Sequence, residues 1–211
     1  MSKTLSVVIP CYNESRTIAI VLEKLRFINC VDEIILVDDN SNDGSLEIVK
    51  NLKIENLKIV ENNKNFGKGY CLIKGFEQAK TDYIIILDAD TEYNPNEIKN
   101  FKSAFEENND IDLIIGTRFQ SIYPRKIGYF YHTLFNKVIN FFFNLFFNTN
   151  FTDIECCLKC FKLNKLKNLQ LSEKKFGIEI ELVAKSVKDN FHIIEMGVSY
   201  IARTYEEGKK I

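Results

Sequence analysis

Apolar residues occur along the first half of the chain in short runs that alternate with segments of helical periodicity. The strand-like runs lie at residues 5–9, 33–37, 57–60, 83–87 and 111–115. The helical segments between them span residues 15–28, 45–52, 68–79 and 95–107, and the last has a start signal in Asn94, Pro95 and Glu97. Short strands that alternate with helices predict a doubly wound, mostly parallel α/β sheet flanked by helices.

The pattern changes after Arg118. Residues 127–147 are crowded with Phe, Tyr, Leu and Ile, and a polar residue falls at every fourth position. These polar residues are His132, Asn136, Asn140, Asn144 and Asn148. Successive members advance about 40° around a helix, which predicts an amphipathic helix with a narrow polar stripe. Two interpretations stay open for its broad apolar surface: it packs against the sheet, or it lies in a membrane plane or lipid-binding groove. A last strand-like run follows at residues 192–201.

Composition narrows the class of protein. A chain of 211 residues suits one domain, and 28 Lys and Arg residues nearly balance 29 Asp and Glu residues, so charge gives no reason to expect nucleic acid. The pattern predicts neither a secretory leader nor a transmembrane helix. Six cysteines without such a leader indicate reduced thiols in the cytoplasm. Cys157 and Cys160 have the spacing of half a redox or zinc site, but the sequence has no second pair at ligand spacing, so we interpret them as packing thiols.

Two carboxylates follow the fourth apolar run. Residues 83–87 have the composition of a buried parallel strand. Asp88 and Asp90 would emerge at its carboxyl end, where open α/β sheets bind ligands. Carboxylates this close repel each other unless a cation lies between them, and hard oxygen ligands beside phosphate suit Mg²⁺ or Mn²⁺. The sequence therefore predicts a metal-assisted reaction on a phosphorylated substrate; the alternative is that the pair caps the next helix.

Further polar clusters follow the first two strand-like runs. Acidic groups there, such as Glu14 and Asp39, can accept hydrogen bonds from a base and a ribose, and Tyr12 can stack on the base. Because crowding of Asp38 and Asp39 costs energy without a partner, we expect Asp39 to bind a ligand. Lys68 stands between two glycines ahead of a helix, where it could neutralise a phosphate that approaches the backbone closely.

A set of motifs spread over nearly the whole chain resembles one known family. The motifs are VVIPCYNE, VDDNSNDGS, NFGKGYCLIKGFEQAKTDYIIILDAD, GTR at 116–118, TDIECCLKCFK at 152–162, FGIEIELVAK and YIARTYEEGKKI. Together they resemble family 2 glycosyltransferases of the GT-A fold, and specifically the dolichyl-phosphate mannose synthase-like branch of polyprenyl-phosphate hexosyltransferases. The resemblance implies one GT-A nucleotide-diphospho-sugar transferase domain over 1–211, with a nucleotide-sugar-binding half at 1–118 and an acceptor-binding half at 119–211.

The resemblance also implies a role for each matching position. The nucleoside of the donor would be held by Pro10, Tyr12, Glu14 and Asp39. The metal and the diphosphate would be bound by Asp88, Asp90 and Glu92. The acceptor phosphate would be faced by Arg118, His132 and Asn136. A basic segment that closes on the donor would contribute Arg203, Lys209 and Lys210. Asp153 would lie beside the acceptor and complete the catalytic set with Arg118 and Asp90.

The function implied is metal-dependent, inverting transfer of a hexose from a GDP- or UDP-hexose to a polyprenyl or dolichyl phosphate. A lipid phosphate is already an anionic nucleophile and needs positioning by Arg118, whereas a glycan or other hydroxyl acceptor would need Asp153 as a base. We expect a peripheral location on the cytoplasmic membrane face, reached through the aromatic helix or a membrane-protein partner. The alternatives are a haloacid dehalogenase-type phosphatase and a non-catalytic sugar-nucleotide-binding module.

Overall fold

The computed structural model describes residues 3–120, 129–204 and 206. Within them the chain forms one sheet of seven strands flanked by helices. The strands are β1 Leu5–Cys11, β2 Glu33–Asp38, β3 Leu57–Glu61, β4 Tyr83–Ile86, β5 Leu113–Thr117, β6 Lys159–Lys162 and β7 Ile193–Gly197. The helices are α1 Ile18–Leu25, α2 Ser45–Asn51, α3 Lys68–Gln78, α4 Ile98–Glu107, α5 Phe130–Phe147, α6 Leu163–Asn168 and α7 Ile178–Lys188.

The order of the strands places a ligand crevice between β1 and β4. The sheet runs β3-β2-β1-β4-β6-β5-β7. The pairs β1–β2, β2–β3, β1–β4 and β5–β7 are parallel, whereas β6 is antiparallel to both of its neighbours. The mostly parallel sheet expected from the sequence is therefore confirmed. Because the chain moves outward from β1 to β3 and then returns to the other side of β1, its direction of winding reverses at β1 and β4, which is where open α/β sheets bind ligands.

The core consists of the apolar runs that predicted the strands. β4 is buried along its whole length, as are the interior residues of β1 and β2, because helices cover the sheet on its faces. The six cysteines are free thiols, and Cys157 and Cys160 are buried in this core. Their interpretation as packing thiols is confirmed.

Some element bounds differ from the predicted ones. The first helix begins at Ile18, because the preceding residues form a turn on the Glu14 carbonyl oxygen. Asn94 caps as predicted, since its side chain accepts from Asn96 N at 3.2 Å, but Pro95–Glu97 forms a 3₁₀ turn ahead of α4. The last predicted strand, 192–201, ends at Gly197. The sequence pattern did not predict β6, α6 or α7. β6 and α6 are short and carry lysines, so they show no clear apolar period.

The polar stripe of α5 faces the protein rather than solvent. Asn140 Nδ2 donates to Thr152 O at 2.7 Å, and Asn144 Nδ2 donates to Phe151 O at 2.8 Å. These amides hold the loop at residues 149–155, while Phe143 packs into the core beside them. Most of the apolar surface points outward and is exposed: Phe130, Tyr131, Leu134, Phe135, Val138, Phe141, Phe142, Leu145 and Phe146.

Because most apolar side chains of α5 are exposed, the interpretation that its whole apolar surface packs on the sheet is wrong. The stripe faces the loop because its amide groups satisfy backbone groups that would otherwise be buried without partners. The predicted residues 127 and 128 of this helix lie outside the described residues, and α5 begins at Phe130. Among the described helices, none has the length and apolarity needed to cross a bilayer.

Candidate active site

A cleft of about 460 Å³ opens at the carboxyl ends of β1, β2 and β4. Every described residue that the sequence predicted for the donor or the metal lines it: Pro10, Tyr12, Glu14, Asp39, Lys68, Asp88, Asp90, Glu92 and Arg203. Lys209 and Lys210 lie outside the described residues. A cleft of this size suits a drug-sized or nucleotide-sized ligand. Topology therefore gathers residues from across the chain, because parallel strands end on the same edge of the sheet.

Asp88 is held by a lysine from the start of α3. Lys68 Nζ lies 2.7 Å from Asp88 Oδ1 and 2.9 Å from Glu179 Oε1. Burial alone would raise the pKa of Asp88, but the Lys68 charge outweighs burial and lowers it. Burial likewise opposes the Lys68 charge, yet Asp88 and Glu179 raise the pKa of the ammonium group well above its usual value. Lys68 is thus a permanent cation at the wall of the cleft, and its contact with phosphate stays a prediction.

Asp90 belongs to an acidic group that is bridged by one guanidinium. Arg203 Nη2 lies 2.9 Å from Asp90 Oδ2, and Arg203 Nη1 lies 3.1 Å from Glu14 Oε2. Burial and the nearby charges of Asp88 and Glu92 raise the pKa of Asp90 to about 7. Negative charge is therefore concentrated just beyond β4, and the Arg203 guanidinium compensates part of it.

Glu92 fastens the segment that carries Arg203. Its carboxylate accepts from the Tyr200 hydroxyl at 2.8 Å and from Arg203 N at 2.7 Å, and its carbonyl oxygen accepts from Ile201 N. Glu92 thus fastens residues 200–203 beside the cleft, which Arg203 lines. Its role as a third metal ligand stays a prediction.

The chemistry of Asp88 and Asp90 suits a divalent cation. Both carboxylates line the cleft, and Mg²⁺ is commonly held by one or two carboxylates together with substrate phosphates. Within residues 3–120 and 129–204, no group of three His, Cys, Asp or Glu side chains is arranged to hold a metal ion by itself. Phosphate oxygens of a nucleotide would therefore complete the coordination shell.

Asp39 has partners inside the protein. Its carboxylate accepts from Asn62 Nδ2 at 2.8 Å and from Gly67 N at 2.7 Å, and it also accepts from Phe66 N. Hydrogen bonds from Asn62 and from the loop before α3 therefore stabilise the Asp39 carboxylate beside Asp38, and no ligand is needed for this. Asp39 still lines the cleft, so its contact with the nucleoside stays a prediction. Its carboxylate also has a structural role, because it holds the loop before α3.

The two glycines around Lys68 accommodate the protein's own backbone. Gly67 has a φ of +102°, and a Cβ there would lie 2.6 Å from Lys174 O. Tyr70 N donates to the same carbonyl oxygen at 3.1 Å, and Gly69 packs against the backbone of Glu173. The expectation that these glycines admit a phosphate is corrected, since residues 173–174 occupy that space.

Among the residues that the sequence predicts for the acceptor, Arg118 and Asp153 form a bidentate pair. Arg118 Nε and Nη2 donate to Asp153 Oδ2 and Oδ1, both at 2.7 Å, and Arg118 N donates to Oδ2 at 2.9 Å. Asp153 is fully buried, and its backbone N–H donates to Glu195 on β7. This geometry gives Asp153 the task of fixing the guanidinium plane, and its role as a base stays a prediction.

The polar stripe of α5 meets this pair. Asn136, oriented as its neighbours require, accepts from Arg118 Nη2 at 3.1 Å and donates to Glu155, whose pKa is raised by burial. His132 lies one turn earlier on the same stripe, with its ring 5.8 Å from that of Tyr129. The structure therefore brings Asn136 to Arg118 as predicted, while the contact of His132 with an acceptor stays a prediction.

Tyr200 contacts both Arg118 and Glu92. Its ring lies 5.3 Å from the Arg118 guanidinium carbon, and its hydroxyl donates to Glu92. Sequence reasoning assigned no role to Tyr200, Glu155 or Glu179. The available signal was their place inside the motifs TDIECCLKCFK, FGIEIELVAK and YIARTYEEGKKI.

The sequence model described as glycosyl transferase family 2 matches residues 6–169, which contain most of this site. The chain belongs to glycosyl transferase family 2.

Two curated relatives in family 2 show similarity along nearly the whole chain. The undecaprenyl-phosphate 4-deoxy-4-formamido-L-arabinose transferase of Aeromonas hydrophila is 29% identical over 98% of this chain and 63% of its own length. The enzyme of the same name from Proteus mirabilis is 30% identical over 97% of this chain and 62% of its own length. The chain thus spans less than two thirds of these relatives.

Solved structures share the fold. Glucosyl-3-phosphoglycerate synthase from Mycobacterium tuberculosis, in complex with Mn²⁺, UDP and phosphoglyceric acid, superposes with a TM-score of 0.75 at 18% identity, over 97% of this chain and 73% of that one. The same enzyme with Mg²⁺ and UDP gives a TM-score of 0.74 at 17% identity, over 97% and 74% of the two chains. The GT-A fold expected from the sequence is confirmed.

Proposed function

We propose that this chain is a metal-dependent, inverting glycosyltransferase domain that moves a hexose from a GDP- or UDP-hexose to a polyprenyl phosphate. Membership of glycosyl transferase family 2 supports the reaction class, and the names of the relatives support the lipid phosphate. One observation carries the choice of acceptor: Asn136, which bonds Arg118, stands on the inner face of a helix whose outer face is aromatic and exposed. A cationic centre beside an apolar surface suits a phosphate with a hydrocarbon tail.

In this reaction the bond between the anomeric carbon and the diphosphate oxygen breaks, and its electron pair leaves with the nucleoside diphosphate. An oxygen of the acceptor phosphate forms the new bond from the opposite face of the sugar. A divalent cation held by Asp88 and Asp90 would stabilise the charge on the departing diphosphate when bound. Arg203 lies beside Asp90 and can donate to the same diphosphate.

On the acceptor side, Arg118 orients the incoming phosphate, and Asp153 keeps the guanidinium in one plane. Such an acceptor is anionic at neutral pH and needs no base. A hydroxyl acceptor would need Asp153 to take its proton, and the buried pair with Arg118 gives that alternative less support.

The exposed face of α5 supports peripheral contact with a membrane. Its polar stripe is engaged by the loop at 149–155, and its aromatic residues point outward. A helix with this distribution lies in the interface plane with its aromatic face among the lipid head groups and upper acyl chains. The acceptor centre would then lie at the level where a polyprenyl phosphate presents its head group.

Release of nucleoside diphosphate tests the proposed function. Purified protein is mixed with Mn²⁺ and a panel of UDP- and GDP-hexoses, and release is compared with polyprenyl phosphate, with free sugars and without an acceptor. We expect release to depend on the lipid phosphate and the metal, and to be lost in Asp90→Asn but kept in Asp110→Asn, which lies on the exposed surface. Transfer to free sugars would instead support a hydroxyl acceptor. Binding of a nucleotide sugar without any release would support the non-catalytic module.

A further inference from the structure

A row of four alternating charges runs from the core of the protein to the cleft. Lys159 Nζ, in β6, donates to Glu179 Oε2 in α7 and to the carbonyl oxygen of Cys156. Glu179 Oε1 lies 2.9 Å from Lys68 Nζ, which lies 2.7 Å from Asp88 Oδ1. The row therefore joins the acceptor half of the chain to an acidic residue at the end of β4.

Burial decreases steadily along this row. The exposed fraction of the side chain is 0% for Lys159, 7% for Glu179, 13% for Lys68 and 25% for Asp88. Lys68 and Asp88 line the cleft, whereas Glu179 lies behind them. Each buried charge is compensated by the next, so the orientation of Asp88 depends on groups that no ligand reaches.

The geometry points to Glu179 as a positioning residue. Resting on the proposed function, we propose that Glu179, itself held by Lys159, aims Lys68 at Asp88 and thereby fixes the Asp88 carboxylate in the orientation that binds the metal–nucleotide complex. Glu179 touches neither the metal nor the nucleotide in this role. Its effect is to remove the cost of ordering Asp88 when the donor arrives.

Two observations distinguish this role from general stabilisation of the fold. Lys159 occupies only Oε2 of Glu179, whereas Oε1 is buried without a hydrogen-bond partner among the described residues, and the ammonium group of Lys68, 2.9 Å away, is the charge that compensates it. In addition, Lys68 lies 2.7 Å from one oxygen of Asp88, which follows β4 by two residues and lines the cleft. The row thus continues up to the site and does not end inside the core.

Nucleotide binding with and without metal tests the inference. The dissociation constants of UDP and GDP are measured by calorimetry in Mn²⁺ and in chelator, and their ratio reports how strongly metal and nucleotide bind together. Glu179→Gln keeps the shape of the side chain but removes its charge. We expect the metal-dependent ratio to fall about tenfold or more, as is typical when a group that orients a metal ligand is lost, while binding in chelator stays unchanged. An unchanged ratio, or an equal loss in both conditions, overturns the inference.

A second variant keeps the test valid if Glu179→Gln does not fold. Lys159→Met combined with Glu179→Gln removes the buried cation and the charge of its partner together. Folded proteins commonly tolerate the loss of both charges of a buried ion pair. The ratio is still expected to fall in this double variant. Glu107→Gln, at the exposed end of α4, is the matched control, and it is expected to leave the ratio unchanged. If wild-type protein shows no metal-dependent binding of either nucleotide, the proposed function fails. If wild-type protein shows it and Glu179→Gln retains it, the inference alone fails.

Discussion

Arg203 Nη2 lies 2.9 Å from Asp90 Oδ2, so a guanidinium compensates the carboxylate that we expect to bind a metal. The same guanidinium donates a hydrogen bond to Glu14, and the backbone N–H of Arg203 donates to Glu92. A tethered positive charge therefore stands in the acidic end of the cleft. We therefore expect Arg203 and a divalent cation to compete for Asp90 until a diphosphate provides the guanidinium with another anionic partner.

We expect Arg203→Gln to strengthen Mn²⁺ binding by the nucleotide-free protein. Removing the guanidinium leaves the negative charge of Asp90 to the metal, and a gain of at least about fivefold corresponds to about 1 kcal/mol. Titration of free Mn²⁺ followed by electron paramagnetic resonance measures it. Arg26→Gln is the control, because Arg26 pairs with Glu23 at the surface. Equal or weaker Mn²⁺ binding by Arg203→Gln would show that the guanidinium does not compete with the metal.

Arg118→Lys is expected to raise the KM for polyprenyl phosphate about tenfold or more, with donor binding unchanged. A lysine keeps the charge but cannot form the two parallel bonds to Asp153 that fix the guanidinium plane. Steady-state kinetics with varied acceptor, together with calorimetry of nucleotide binding, separate the two effects. Arg26→Lys serves as the control, and a KM that stays at the wild-type value contradicts the assignment of Arg118 to the acceptor.

The aromatic face of α5 predicts reversible membrane binding. Phe135 and Phe146 are 65% and 78% exposed, so Phe135→Ser with Phe146→Ser should leave the fold intact. Full burial of one such ring contributes about 2 kcal/mol, and we expect the fraction bound to vesicles of phosphatidylethanolamine and phosphatidylglycerol to fall at least about tenfold. Flotation of the vesicles measures this. Phe27→Ser, a change at an equally exposed ring outside α5, should bind as wild type. Loss in Phe27→Ser but not in the double variant would place the membrane contact elsewhere.

Stability should depend on pH through Glu181. Burial alone would raise its pKa, but hydrogen bonds from Lys185, Glu173 N and Ser172 outweigh burial and lower the pKa to about 2. A carboxyl whose pKa is lowered on folding stabilises the folded state above its unfolded pKa of about 4.5, and this contribution disappears as the pH falls towards 2. We expect Glu181→Gln to reduce the free energy of unfolding by about 2 kcal/mol at pH 7 and by much less near pH 2.5. Urea denaturation at both pH values tests this, and a difference that does not depend on pH contradicts the prediction.

Two glycines with positive φ offer a matched test of the packing around Lys68. Gly44 has a φ of +91° and nothing within 4 Å of a Cβ, whereas Gly67 has a φ of +102° and the Lys174 carbonyl oxygen at 2.6 Å. We expect Gly44→Ala to cost about 1 kcal/mol, from backbone strain alone. Gly67→Ala should cost about 3 kcal/mol or more, since strain and a backbone clash add. Equal costs, measured by thermal and urea denaturation, would show that residues 173–174 do not pack there in solution.

The local pattern of the chain determined the strands at the nucleotide side and the residues at their ends. Buried parallel strands are apolar along their whole length, so β1, β2 and β4 were evident in the sequence, and Asp88 and Asp90 followed directly. The helical period of 127–147 likewise predicted α5 and its stripe of asparagines. Each of these features depends on neighbours within a few residues, which is the range that periodicity reports.

Only the tertiary structure decided which distant residues meet. The direction of the α5 stripe depends on backbone carbonyl groups in the loop at 149–155 that accept hydrogen bonds from its asparagines, and the space beside Gly67 is occupied by residues 173–174. The order of the strands places β6 beside β4 and so brings Lys159 within reach of Glu179 and Lys68. The sequence by itself determined the elements and the acidic residues at their ends, because these follow from local burial and period. The charge partners of those residues were decided by the fold, because electrostatic pairing acts through space between positions that no local pattern relates.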